Sequence, residues 1–479
     1  MKNDDCKNVF HPPHFIWLLN NQNEIKMKAI SLLLLLIIFT SCKHENKPVT
    51  VKISSGSESQ ETRDKKEQAI VHDTQAVSVV NPLTPEKRIT VGGTNADLHG
   101  YTSEAIQTAI DAIHNSCKSG TVLLLAGIYD IIAPVRLYDN MSLVGSGPGT
   151  VLKKCRGFRS SFALDADYGE LQVTVKDASG FKTGMGVCIF DEGQRSGWDL
   201  TTARITAIKG NVISIDDYLL RDYHANRKGT ISNNCSVIAA VDAENVRIEN
   251  LTVDGSRESN DMIDGCRAGG IYLHKVHKAN IENVIVKNFN CDGISWQITE
   301  DVTVRNCEIY GCANSGLHPG TGSPFTLIEG NNSHNNEGYG LFVCWRVRNG
   351  IVRNNSFHNN GINGISTGHK DVDMLFAGNQ IFENGSDGIQ VRGELPLNAP
   401  HRNIFRSNRI ENNGVKEKGY GISVNCMAEG VVIEDNIFSN TGNGKQAAAL
   451  FLTKNSFPVE FKNNTISGQP EREVTKEDK

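Results

Sequence analysis

The 479-residue sequence has no apolar run of membrane-spanning length. A transmembrane helix needs about 20 apolar residues, and the one candidate, 29–40, is far shorter. There is no excess of basic charge either: Lys and Arg total 49 against 54 Asp and Glu, a net charge of −5. That balance leaves no electrostatic footprint for nucleic acid and argues against it as a partner. Aromatic residues make up only 7% of the chain, so aliphatic residues must build most of the core. Proline is scarce at 13 while glycine reaches 45, which suits many tight turns and excludes a collagen-like or disordered chain. Cysteine is plentiful at 12, yet no Cys-x-x-Cys pair occurs and the residues stand singly, so most read as small buried residues. The spacing of Cys307 and Cys312 leaves a pairing between them open.

The short apolar run follows Lys26 and Lys28 and ends in Phe39-Thr40-Ser41-Cys42. A basic start, a Leu/Ile centre and small residues at the break make residues 1–41 a secretory signal peptide, with Met27 as the plausible true start. The Cys directly after Thr-Ser resembles a bacterial lipobox. That resemblance implies lipidation at Cys42 and a protein anchored in the cell membrane or outer membrane, periplasmic or surface-exposed. The alternative is an ordinary cleaved signal with an incidental Cys. Residues 42–86 are polar, without periodicity, and read as a flexible tether.

A Gly-aliphatic step recurs at Gly270-Ile271, Gly293-Ile294, Gly316-Leu317, Gly340-Leu341, Gly364-Ile365, Gly388-Ile389 and Gly421-Ile422, at spacings of 23, 23, 24, 24, 24 and 33 residues. In phase with it, Asn331, Asn355, Asn379, Asn408, Asn436 and Asn464 hold one register. Short alternating strands with Asn stacked at a turn describe an all-β fold, a parallel β-helix solenoid over residues 87–468 with regular coils from about 245. The period is too short for helical repeats, and the leucine-rich pattern is missing. Residues 102–116 carry Ala105, Ile106, Ala109, Ile110 and Ile113 on one face and predict an N-terminal capping α-helix. Residues from about 170 to 232 read as inserted strands, and 469–479 as a charged tail. The block from Tyr101 through Gly145-Ser146-Gly147 and Thr150-Val151-Leu152 resembles the cap and first coils of the pectate-lyase-like superfamily. The resemblance implies a right-handed solenoid and activity on acidic sugars.

With the aliphatic residue of each Gly-Ile step inward, alternation sends the second and fourth residues after Gly outward. Two columns result: Tyr272, Ser295, His318, Phe342, Ser366, Gln390 and Ser423; then His274, Gln297, Gly320, Cys344, Gly368, Arg392 and Asn425. Trp345, Arg346, His369, Lys370, Asp371, Arg392 and Glu394 fall in one patch, with His318 a coil beyond it. An exposed Trp gains little unless something stacks on it, which suits a sugar platform. The bland readings are a polar turn for His369-Lys370-Asp371 and a surface ion pair for Arg392 and Glu394. His334 and His358 occupy matching turns and read as structural, and His274 as solvated surface.

Hydrolysis of a glycosidic bond needs two carboxylates. Polygalacturonase-type hydrolases carry an Asp-Gly step, an Asp pair one coil later, a Gly-His step and an Arg-x-Lys. This sequence has Asp292-Gly293 but Asn314-Ser315 where the Asp pair should stand, and no Lys after Arg392. Elimination at a uronic acid instead asks for a base at C5 and a cation on the carboxylate. The patch offers Lys370 or His369 as base, Arg392 and Arg346 for the carboxylate, and His318 as acid, with Trp345, Asp371 and Glu394 binding substrate. No cofactor is required, although calcium on Asp371, Asp373 and Glu394 is open. Proton abstraction can end in chain cleavage, epimerisation or loss of water, and a non-catalytic carbohydrate-binding solenoid is a further alternative. Loops around 254–268 and 395–402 are placed to wall off one end and favour exo action. The expected partner is an anionic polysaccharide or oligosaccharide, and the expected state is a monomer.

Overall fold

The computed structural model describes residues 87–468 except 443 and 455, together with the strand Val474–Lys476. The signal peptide, Cys42, the tether and all of 469–479 but that strand lie outside the described residues. Among the described residues no helix is long and apolar enough to cross a membrane.

Glycine steps and β-branched residues leave each repeat only short extended segments, which pair coil to coil. Ile271–Glu282 pairs in parallel with Ile238–Glu249 on one side and with Ile294–Gln297 and Glu300–Arg305 on the other. The ladder continues through Leu317–Gly320, Leu341–Phe342, Ile365–Thr367, Ile389–Val391, Ile422–Val424 and Leu450–Leu452. Val474–Lys476, in the stretch read as a charged tail, adds one more rung to Leu450–Leu452. A second, 11-stranded sheet runs from Gly127–Ile131 to Thr465–Ser467 along the same axis. The aliphatic member of each step is fully buried, and a column of Phe376, Phe405 and Ile433 fills the interior, with Phe376 and Phe405 stacked 4.9 Å apart.

The asparagines bond along the axis. Asn379 Nδ2 donates to Asn408 Oδ1 at 2.9 Å and to the Val352 carbonyl at 2.9 Å, and its Oδ1 accepts from Asn355 Nδ2 at 3.0 Å. A second ladder, absent from the sequence reading, runs through Asn336, Asn360, Asn384 and Asn413 to Gln446. Buried amides satisfied in this way lock each coil to the next in register. Outside, Tyr310, His334, His358 and Phe382 stack at 4.6 to 5.3 Å with nearly parallel rings.

The N-terminal end is closed by helix α1, Ser103–Cys117, whose cap Thr102 accepts the Ala105 N–H at 3.2 Å. Its buried face, Ala105, Ile106, Ala109, Ile110 and Ile113, covers the apolar interior. The inserted strands form a separate 6-stranded antiparallel sheet that starts earlier than the reading, at Arg159–Ser161, and returns at Thr230–Ser232 with its own apolar cluster. Cys307 and Cys312 are free thiols, so the pairing left open by their spacing is not made. Buried among carbonyls, they act as small apolar residues.

Candidate active site

The two outward columns form the floor of a groove. Tyr272, Ser295 and His318 are neighbours across successive coils, as are Phe342, Ser366, Gln390 and Ser423. The floor is less open than alternation alone implies. The loop after Asp254 folds over its N-terminal half, where Ser295 Oγ donates to the Gly265 carbonyl at 2.7 Å, and Ser295 and Gln297 are fully covered. A side chain at 265 would strike the Asp292 carboxylate, so glycine permits this close approach.

Under that loop sits a pair the sequence reading did not make. His318 Nδ1 lies 2.7 Å from Asp292 Oδ2, while Asp292 Oδ1 accepts from the Ser315 N–H at 2.8 Å and Asn314 Nδ2 at 2.9 Å. Asn314 and Ser315, which break the hydrolase pattern, thus serve to fix Asp292. Burial disfavours the imidazolium, but the charge and hydrogen bond of Asp292, with the Cys344 thiol nearby, outweigh it and raise the His318 pKa to about 10. His318 is 5% exposed and carries its proton through the neutral range.

Two coils further on stands a second oriented histidine. His369 Nδ1 lies 3.1 Å from Glu394 Oε2, and its ring stacks on Trp345 with centroids 4.8 Å apart. An ionised carboxylate only accepts, so Nδ1 donates to Glu394, and in the neutral ring Nε2 is then the nitrogen with the lone pair. Trp345 is 49% exposed. Trp345 and Arg346 adopt consecutive left-handed backbone conformations, φ 68° and 66°, which non-glycine residues rarely hold. This turn lifts the Trp345 ring to the rim, with the exposed Arg346 beside it.

Arg392 lies between the histidines. Its guanidinium covers the Phe342 ring at 4.5 Å, and donates from Nη1 to Ser366 Oγ at 3.0 Å and from Nη2 to the Val343 carbonyl at 2.8 Å. Its remaining N–H groups supply a partly exposed cation to the floor. Phe342 also meets His318, edge to face at 5.3 Å. His318, Phe342 and Arg392 are therefore one continuous surface.

Two sequence expectations need correction. Asp371 does not bind substrate: it is fully buried, accepts the Gly368 and Val347 N–H groups at 2.7 and 3.1 Å, and lies 3.5 Å from Arg392 Nη2. Burial lifts its pKa to about 6 against the pull of Arg392 and those N–H groups. Lys370 projects from an exposed turn, outside the two floor columns. The carboxylates suggested for calcium do not converge either. Asp371 faces inward, Glu394 holds His369, and Asp373 is bound by Arg402 at 2.6 and 2.8 Å. Among the described residues no three His, Cys, Asp or Glu side chains are grouped to hold a metal ion. The 395–402 loop meets the far end of the patch, where the Asn398 carbonyl accepts the Lys370 N–H at 2.7 Å.

A family model for the right-handed beta helix region matches residues 236–394 and 372–466. No curated protein matches the chain. Among solved structures, the A-module of mannuronan C-5 epimerase AlgE4 from Azotobacter vinelandii is 17% identical, covers 78% of this chain and 93% of its own, and has a TM-score of 0.50. The Streptococcus pneumoniae surface protein and adhesin PfbA is 11% identical over 78% of this chain and 95% of its own, with a TM-score of 0.47. The polygalacturonase of Erwinia carotovora ssp. carotovora is 14% identical over 84% of this chain and all of its own, with a TM-score of 0.42. These likenesses are of fold alone.

Proposed function

We propose that this chain, a member of the right-handed parallel β-helix superfamily, acts on a uronic-acid-containing polysaccharide or oligosaccharide by removing the proton at C5 of the sugar. The observation that carries the reading is the pair of carboxylate-oriented histidines, Asp292–His318 and Glu394–His369, set two coils apart with Arg392 between them. Successive coils lie about 4.8 Å apart, so the histidines stand about 10 Å apart along the axis, room for one sugar ring between base and acid.

In this reading His369 Nε2 takes the C5 proton, with Glu394 steadying the imidazolium that forms. Arg392 and Arg346 hold the sugar carboxylate and stabilise the charge that develops on it, the role a divalent cation would otherwise fill. His318, already protonated, gives a proton to the departing oxygen at C4, so that the C4–O bond breaks as the C4–C5 double bond forms. Trp345 offers its face to a neighbouring sugar. One structure of this fold is by name a C-5 epimerase, and epimerisation begins with the same abstraction. The protonated acid on the opposite side favours elimination, either cleaving the chain as a lyase or removing water from a terminal uronate.

The proposal includes the address read from the sequence, a monomer lipidated at Cys42 and held on a membrane outside the cytoplasm. Cys42→Ser should then release the protein from the membrane fraction.

The test is ultraviolet absorbance of the unsaturated uronate during incubation with pectin, alginate, ulvan and glycosaminoglycan polymers and their oligosaccharides. A rise on one of them, lost in His369→Gln and Arg392→Ala, supports the reading, and product masses separate chain cleavage from water loss. Reducing ends released without absorbance would replace it with hydrolysis.

A further inference from the structure

We infer that Lys418, Tyr420 and Phe451 form a distal subsite for a second acidic sugar, so that the protein takes the end of a chain and grips it again several sugars along. The inference rests on the uronate reading above and adds to it where the rest of the chain lies.

The groove is closed on its N-terminal side. The loop after Asp254 packs on His318 itself, so closely that a Cβ on Gly265 would stand 2.9 Å from Nδ1. Tyr272, Ser295 and Gln297, the floor residues beyond it, are all buried, and a chain bound at His318 can extend only the other way. On that C-terminal side Phe342, Gln390 and Phe451 come to the surface in turn, with Ser366 beneath Arg392 and Ser423 bonded to the buried Asp387.

The C-terminal side carries a built platform. The Tyr420 and Phe451 rings stack 4.3 Å apart and 14° from parallel, and Lys418 Nζ stands over the Tyr420 ring at 5.7 Å. Asp387 fixes this rung from below, accepting the Tyr420 N–H at 2.9 Å and Ser423 Oγ at 2.5 Å. Among the described residues the Tyr420 hydroxyl bonds to no protein group, and neither does Gln390 Nε2, which lies between the platform and Arg392. Lys416 and Lys418 flank Glu417 and keep the exposed loop net positive. An aromatic pair takes the apolar C–H groups of a sugar, an ammonium its carboxylate, and free hydroxyl and amide groups its hydroxyls.

Spacing sets the length of chain. Along the ladder Tyr420 stands on the third rung from Phe342 and Phe451 on the fourth. At about 4.8 Å per coil the platform lies about 14 to 19 Å along the axis from Phe342, a reach of about four sugars. Arg392 takes the carboxylate of the reacting sugar and Lys418 that of the distant one, so the preferred substrate is an oligosaccharide with acid on both.

The test measures kcat/KM for elimination on disaccharides, which fall short of the platform, and on hexasaccharides, which reach it, prepared from pectin, alginate, ulvan and a glycosaminoglycan. The wild type should prefer the hexasaccharide of its substrate by at least about tenfold. Tyr420→Ala and, independently, Lys418→Glu should bring that ratio to about one, and Lys418→Arg should keep it. A general structural fault would lower both lengths together and leave the ratio standing. If Tyr420→Ala fails to fold, Lys418→Glu, at an exposed side chain, carries the test. Equal kcat/KM for both lengths in the wild type, or a preference that survives the variants, overturns the distal subsite and leaves the uronate reading intact. No elimination at either length sinks the uronate reading instead, and calorimetry with the hexasaccharides then decides the subsite: binding that Lys418→Glu weakens about tenfold keeps it, and absence of binding overturns it.

Discussion

The guanidinium of Arg392 lies over Gly368, and a Cβ on that glycine would stand 2.5 Å from Nε and 2.6 Å from Nη2. Gly368 thus keeps open the space through which Arg392 reaches back to Ser366 and Val343. At this position glycine serves by its lack of a side chain, since its backbone is not left-handed.

Gly368→Ala should therefore act as a remote substitution of Arg392. The guanidinium must swing away, and turnover should fall on the order of 100-fold, the range expected when a preorganised donor is lost. The melting temperature should move by only a few degrees, because the displaced group is the far end of a flexible side chain. Steady-state kinetics beside thermal unfolding checks this; unchanged turnover would mean that Arg392 does not work from the position seen.

Arg346→Gly should stabilise the fold and weaken binding together. Its left-handed backbone costs about 1 kcal/mol that glycine does not incur, so chemical denaturation should show a gain of about that size. Affinity for an acidic oligosaccharide, measured by titration calorimetry, should fall several-fold. A loss of stability would show that Arg346 holds its turn together through its side chain.

The Asp292–His318 pair predicts a specific pH dependence of stability. The folded pKa of His318 is raised from 6.5 to about 10, so its contribution is complete below about pH 6.5 and is lost as pH rises through about 10. Wild-type stability should decline between pH 7 and 9 by up to about 1.4 kcal/mol per unit more than that of His318→Asn. Parallel denaturation curves of the two proteins across that range would show that the buried imidazole is neutral.

Asn379→Ala removes a ladder amide that donates twice and accepts twice from buried groups. Several buried partners are left unsatisfied together, and the loss should reach about 3 to 5 kcal/mol. An exposed change such as Gln380→Ala next to it should cost less than about 0.5 kcal/mol. Urea unfolding of both separates the ladder from ordinary surface effects.

The coil architecture was legible because the Gly-aliphatic step repeats with little drift and each aliphatic residue must be buried. The Asn331–Asn464 register could be read for the same reason. The second ladder carries its own signal, an Asn five residues after each of Asn331, Asn355, Asn379 and Asn408, in a column parallel to the first. Gln446 closing that ladder gave no such cue. The site was only partly legible. Alternation puts His318 and Arg392 on one face, with His369 just past a strand end beside Arg392, but Asp292 and His318 are 26 residues apart and no periodicity pairs them. Nor does alternation continue past a strand end, so Asp371 turned inward to cap its own turn where the pattern suggested an outward carboxylate. The cover over Ser295 and Gln297 comes from a non-repeating loop, which periodicity cannot reveal.

Locking each coil to the next also fixes how this groove can change. His318 and His369 belong to rungs of one ladder, so their separation is a whole number of rungs, and no gradual drift of the backbone can tune it. Inserting or deleting one complete 24-residue unit between them would keep every asparagine in step yet move the acid from the base by about 4.8 Å. The scaffold behaves as a ratchet: coarse spacing alters only in clicks, and fine adjustment is left to side chains such as Arg392 that lean across an empty glycine from the rung beyond.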